Sequence, residues 1–96
     1  MIYLRVTWSH RQTDMPLLIW SELDDDRFEI RKVEIFKNGR MTFAPGGPDP
    51  STWLADVPIP LSSVISDGAE FTALDIDATQ FEVVWQEALQ NGLWQF

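Results

Sequence analysis

The 96-residue chain contains no cysteine, a single histidine, and no lysine or arginine after residue 40. Without cysteine there can be no disulfide scaffold, thiolate zinc site or thiol nucleophile. One histidine, His10, rules out a histidine-rich metal site and a two-histidine acid–base pair, and a serine triad would have to be built on that residue alone. No stretch approaches the roughly 20 apolar residues that cross a bilayer. The amino terminus, Met1-Ile2-Tyr3-Leu4-Arg5-Val6, lacks the basic start and long apolar run of a secretion signal. The expectation is therefore a cytoplasmic protein, in keeping with the reducing compartment that a cysteine-free small domain favours.

What is present is apolar and acidic. Hydrophobic residues make up 45% of the chain, with five Trp and six Phe, which supplies one core for one domain. The net charge is −8. Seven acids accompany the seven basic residues up to residue 40, and the other eight of the fifteen acids follow it, so the whole excess belongs to residues 41–96. A field of that sign repels phosphate backbones and anionic lipid and attracts basic surfaces.

Hydrophobic periodicity divides residues 1–96, a single domain, into four stretches. Residues 1–43 are strand-rich. Ile2, Leu4, Val6 and Trp8 alternate with Tyr3, Arg5 and Thr7, the period of a half-buried strand, and Leu17 to Glu22 forms a second one after Pro16. The parity of apolar positions changes between Ile30 and Val33, which calls for a β-bulge near Arg31-Lys32 or a helical turn before it. Asn38-Gly39 between Ile35-Phe36 and Met41-Thr42-Phe43 predicts a hairpin turn with both residues at positive φ.

Residues 44–60 are a loop rich in Pro and Gly, with Trp53 and Leu54 expected to pin its far end to the core. Residues 61–92 are the helical part: a short helix from Pro60 to Ile65 or Ser66, an ambiguous stretch Phe71 to Ile76, then a helix capped by Asp77 and Gln80. Phe81, Val84, Trp85, Ala88 and Leu89 fall on one face of that helix, and Asn91-Gly92 is its expected stop. Residues 93–96 form an apolar tail. The expected fold class is α+β: an antiparallel meander of about four strands, packed on one face by the C-terminal helix and the short helix.

Few residues suggest chemistry. His10 and Asp14 share a loop in which a base and its orienting carboxylate would be possible. Asp24-Asp25-Asp26 offers oxygen ligands, but adjacent acids without a glycine or a distal glutamate do not match an EF-hand, and a solvated turn explains them. Gly46-Gly47 is followed by Pro48-Asp49 rather than the Lys and Ser or Thr of a phosphate loop. No metal, cofactor, catalytic residue or nucleic-acid partner is expected.

The runs Ser21-Glu22-Leu23-Asp24, Glu29 to Phe36 and Asn38-Gly39-Arg40, together with Trp8-Ser9-His10, Pro58-Ile59-Pro60 and the Phe81/Trp85 pair, carry a resemblance. They resemble a group of small, acidic bacterial proteins classed as a domain of unknown function. The likeness covers nearly the whole chain, with an unusually Pro- and Gly-rich loop at 44–56 and an added tail at 93–96. It implies a lineage and no particular activity.

Elimination leaves binding. The first expectation is a protein-binding inhibitor without catalytic function, an immunity protein or antitoxin whose acidic surface occludes the basic cleft of a toxin. Its field would come from Asp67, Glu70, Asp75, Glu82 and Glu87, with Trp94 and Phe96 as anchors. The alternative is a small-molecule or peptide module that uses an exposed sheet face carrying Tyr3, Arg5, Trp20 and Arg31.

Overall fold

A computed structural model describes residues 1–12, 15–47 and 52–94, with side chains through Asn91. Five strands form one antiparallel sheet: β1 (Ile2–Trp8), β2 (Leu18–Leu23), β3 (Glu29–Ile35), β4 (Met41–Ala44) and β5 (Phe71–Ile76), in the order β4-β3-β2-β1-β5. Helix α1 (Ser62–Ile65) precedes β5 and helix α2 (Ala78–Trp94) follows it. The α+β class and the first four strands match the reading of the sequence. The fifth strand is the stretch whose period was ambiguous, and it adds to the β1 edge rather than extending the meander.

Strand alternation sorts side chains to two faces. Tyr3, Arg5, Trp20, Glu22, Arg31, Val33, Met41 and Phe43 share the face toward α2, whose Phe81 and Trp85 rings lie 5.6 Å from Tyr3 and 5.4 Å from Phe43. Leu4, Val6, Ile19, Ser21, Lys32, Thr42 and Ala73 point the other way. The main core lies under α2: Val33, Met41, Phe43 and Ala88 are buried, with Trp20, Ile35, Val84, Trp85 and Leu89 packed around them. Phe81 is fully buried, as the helical spacing requires.

Local chemistry sets the connections. The loop after β1 is stapled by His10, whose Nε2–H donates to the Pro16 carbonyl at 2.6 Å while Nδ1 accepts from the Gln12 N–H. Asp24 Oδ1 accepts from the Asp26 and Phe28 N–H groups, so the acidic run is an Asx-type turn between β2 and β3. The β3–β4 hairpin differs from expectation in one respect. Gly39 alone takes positive φ (85°), while the Asn38 side chain accepts from the Arg40 N–H, giving a longer loop closed by a left-handed glycine. At Gly47 a Cβ would overlap the Phe43 carbonyl, so only glycine lets the chain turn back over β4.

The chain then leaves one sheet edge and returns at the other by crossing the face opposite α2. Thr52 donates to Thr42 on β4, Ala55 N–H reaches Glu29 on β3, and Ile59 N–H bonds to the Arg27 carbonyl in the β2–β3 turn. Arg27, at φ 69°, holds this strap from below by donating to the carbonyls of Ile59 and Pro60, both at 2.7 Å. At the far side α1 covers the β5 edge, where Ser66 Oγ accepts from the Ala73 N–H at 2.8 Å and donates to its carbonyl at 3.3 Å. That contact occupies an outward-facing edge amide which would otherwise template a further strand.

Several expectations change. The two helices were expected to share a face; α2 covers one face and α1, with the strap, the other, because the strap must cross the sheet before β5 begins. Trp53 was expected to pin the loop, but it is 66% exposed, and Arg27 does the pinning instead. Asn91-Gly92 does not end α2, which runs to Trp94. Gly92 lies inside the helix, and the Asn91 side chain bonds back to the Glu87 carbonyl. The Asp77–Gln80 capping box forms as expected, with reciprocal bonds of 3.0 and 2.8 Å.

Candidate functional site

The β-bulge decides what each face of the sheet can do. Glu22 pairs with Arg31 and Leu23 with Glu29, so Ile30 is the extra residue, one place before the expected position. In a regular strand Glu29 and Lys32 would point to opposite faces. The bulge resets the parity, so that Glu29 joins Lys32 and Ser21 on the strap face while Arg31 stays under α2.

Under α2 the bulge leaves Arg31 opposite Glu22. Its Nε and an Nη donate to the two Glu22 oxygens at 2.7 and 2.9 Å, and an Nη also donates to Glu82 of α2 at 3.0 Å. Tyr3 Oη donates to Glu22 at 2.9 Å, and the guanidinium carbon lies 5.0 Å from the centroids of both Phe81 and Trp85. Glu22 is 8% exposed in its side chain, so these donors replace its water. The Arg31 bonds hold the Glu22 carboxyl below the ordinary glutamate range, aided by Tyr3 and opposed by burial. Arg31 likewise lowers Glu82, whereas the bond to Glu22 raises the Tyr3 hydroxyl. The result is a charged link between sheet and helix.

This geometry corrects the alternative ligand face. Tyr3, Arg5, Trp20 and Arg31 do share a face, as expected, but α2 packs on it. Tyr3 and Arg31 are committed to the link, and Trp20 packs against the core. Arg5 stacks on Trp20, with its guanidinium 5.6 Å from the ring centroid. Arg5 Nε and Trp20 Nε1 are buried and have no hydrogen-bond partner among the described residues.

The strap face is different. Between sheet and strap lies an open cleft of about 410 Å³. Val6, Ile19 and Phe71 form its floor, and Ala55, Ile59 and Ile65 form the roof and sides. Its polar residues are Ser21, Glu29 and Lys32, gathered at the β2–β3 side. Glu29 is 4% exposed in its side chain, with Oε2 accepting from Ser21 at 2.9 Å and Oε1 from the Ala55 N–H at 2.6 Å. Lys32 Nζ stands 3.8 Å from Glu29 Oε1, an ion-pair distance too long for a hydrogen bond. None of these cleft residues was singled out from the sequence. The sequence signal for them is the parity change across Ile30, whose bulge puts Glu29 and Lys32 on one face.

The five carboxylates expected to act together divide into two groups. Asp67, Glu70 and Asp75 lie along the α1–β5 edge, where Glu70 accepts from Trp8 Nε1 at 3.0 Å and Asp75 from Ser62 Oγ at 3.4 Å. Glu82 and Glu87 are exposed on α2 across the sheet, and Glu82 is already paired with Arg31. Of the expected anchors, Trp94 is the last residue of α2, its side chain lying outside what is described, and Phe96 lies outside the described residues. Exposed apolar side chains occur instead along the strap and α1 at Trp53, Val57, Leu61 and Val64. For the loop histidine, both ring nitrogens are engaged in local bonds, and Asp14 is outside the described residues.

No group of three or more potential metal-ligating side chains occurs among the described residues, and no helix there is long and apolar enough to cross a membrane. No curated protein and no solved structure matches the chain. One sequence family does, over residues 2–90, and the chain belongs to it: the family described as Domain of unknown function (DUF6881).

Proposed function

We propose that this chain is a non-catalytic, intracellular binding protein that inhibits a protein partner with a basic surface, as a bacterial immunity protein or antitoxin does. The supporting observation is the exposure of its uncompensated charge. All the described acids of residues 41–96 stand at the surface, and of these only Glu82 forms an ion pair among the described residues. Carboxylates held in water at the α1–β5 edge steer a cationic partner and accelerate encounter.

Trp53 is the best anchor for such a contact. It is exposed on the strap close in sequence to Asp56, Val57 and Leu61, and a large aromatic beside carboxylates is the composition of an interface hot spot with a polar rim. The test is complex formation with the product of the neighbouring reading frame, measured at low and high salt. Replacing Asp67, Glu70 and Asp75 together by their amides should slow association and weaken its salt dependence. Trp53→Ala should speed dissociation. Absence of a complex at low salt would sink the proposal. The alternative small-molecule reading loses its first surface to α2, and the cleft on the strap face is the observation that favours it.

A further inference from the structure

We propose that the cleft between the sheet and the strap is a binding site for a small elongated ligand with an apolar body and a single anionic headgroup, of the type of a medium-chain carboxylate. The inference is independent of the inhibitor reading, because it uses a different kind of surface: an open apolar cleft with the Lys32–Glu29 ion pair at one end.

Three observations carry it. The first is volume and lining. About 410 Å³ lies within the range of small-molecule sites, roughly 300–1,000 Å³, and such sites combine apolar walls with a few convergent polar groups. The walls here are apolar on the floor through Val6, Ile19 and Phe71, and on the roof through Ile59 and Ile65.

The second is direction. The cleft crosses the sheet from Lys32 on β3, through Ser21 and Ile19 on β2 and Val6 on β1, to Phe71 on β5. Four strands at the usual spacing span roughly 14 Å. The polar residues lie at the β2–β3 side, and Phe71, stacked on Trp8 at 5.4 Å, continues the apolar floor to β5. A ligand that fills this shape is polar at one end only.

The third is the balance of donors and acceptors. Both Glu29 oxygens are taken, one by Ser21 and one by the Ala55 N–H. Lys32 brings three N–H donors and makes no hydrogen bond among the described residues. The hydrogen-bonding capacity left over is therefore that of the Lys32 N–H donors: the ammonium is ion-paired with Glu29 at 3.8 Å, and its side chain, 16% exposed, lines the cleft. An anionic acceptor satisfies it; an amine does not, and a neutral alcohol does so only weakly.

The test compares three probes of one chain length: octanoate, octanol and octylamine. Each is titrated into the isotope-labelled protein, following methyl resonances of Val6, Ile19, Ile59 and Ile65. The expected result is saturable shifts confined to those methyls, with affinity in the order octanoate, octanol, octylamine. Lys32→Met should weaken octanoate by about tenfold, the worth of one charge-assisted bond, and leave octanol unchanged. Lys32→Arg should retain the preference for the acid. Ile65→Trp, which fills the cleft from its rim without touching the Glu29 bonds, should abolish shifts with all three probes. Failure of octanoate to saturate the wild-type protein, shifts located elsewhere, or equal affinities for the acid and the amine would each overturn the assignment. Because these measurements involve no protein partner, their failure leaves the inhibitor reading standing, and the reverse holds as well.

Discussion

The two faces of the sheet are closed by different means. A 17-residue helix covers one, with Phe81 and Ala88 fully buried and the Arg31–Glu22–Glu82 link joining helix to sheet. An irregular strap and a four-residue helix cover the other, held by Arg27 and the Glu29–Ala55 bond, and they leave a cleft. A long amphipathic helix can present one continuous stripe and fill the space beneath it. A strap rich in Pro has few backbone donors and no repeating face, so it bridges the sheet at separate points. The difference separates roles: one face holds the fold together, and the other has room for a ligand.

The largest effect should come from breaking the helix face. Arg31→Met leaves Glu22 buried without its counter-ion, which should cost about 3 kcal/mol in denaturant unfolding. Replacing Glu22 by Leu in the same chain should recover part of that loss, since removing both charges is milder than stranding one. If the single and double variants are equally destabilised, the link is not what joins α2 to the sheet.

The same link sets a pH dependence. Glu22 and Glu82 are held below the ordinary value of 4.5, so their contribution is complete above that pH and is lost as pH falls through the lower folded values. Tyr3 is raised, so its contribution is complete below the ordinary 10.0 and is lost as pH climbs through the higher folded value. Unfolding followed against pH should show both limbs. Arg31→Met should flatten the acid one and Tyr3→Phe the alkaline one.

On the strap face, Arg27→Ala removes two charge-assisted bonds and should cost about 2 kcal/mol, less than the loss of Arg31. Its signature in hydrogen exchange is local: the Ile59 amide should lose protection while the amides of α2 keep theirs. Equal acceleration in α2 would show that the two faces unfold as one unit. The smallest effect is at the start of α2, where Asp77→Ala should cost about 1 kcal/mol by opening the capping box.

Much of the fold was legible in the residues. The alternation of β1, the hairpin at Gly39, the capping box and the buried stripe of α2 are short-range patterns, in which neighbours within a few positions determine the outcome. The site was much less so. Glu29 and Lys32 meet Ser21 only because Ile30 is skipped in a ladder with β2, and the strap side of the cleft comes from residues 26 positions or more away. The face of Tyr3, Arg5, Trp20 and Arg31 was correctly grouped, but its covering by α2 was not foreseen, because alternation tells which residues share a face and not what packs on it.

The sequence by itself determined the unequal division of charge, the absence of thiol chemistry and the helix and strand periods, because composition and local sterics do not depend on what folds against them. Tertiary structure alone decided that the chain crosses the sheet before β5, that the bulge sends Arg31 to one face and Glu29 to the other, and that lysine, serine and glutamate gather at one end of an apolar cleft. Those outcomes rest on pairings between distant segments, where a shift of one residue in register reverses the face of every side chain beyond it.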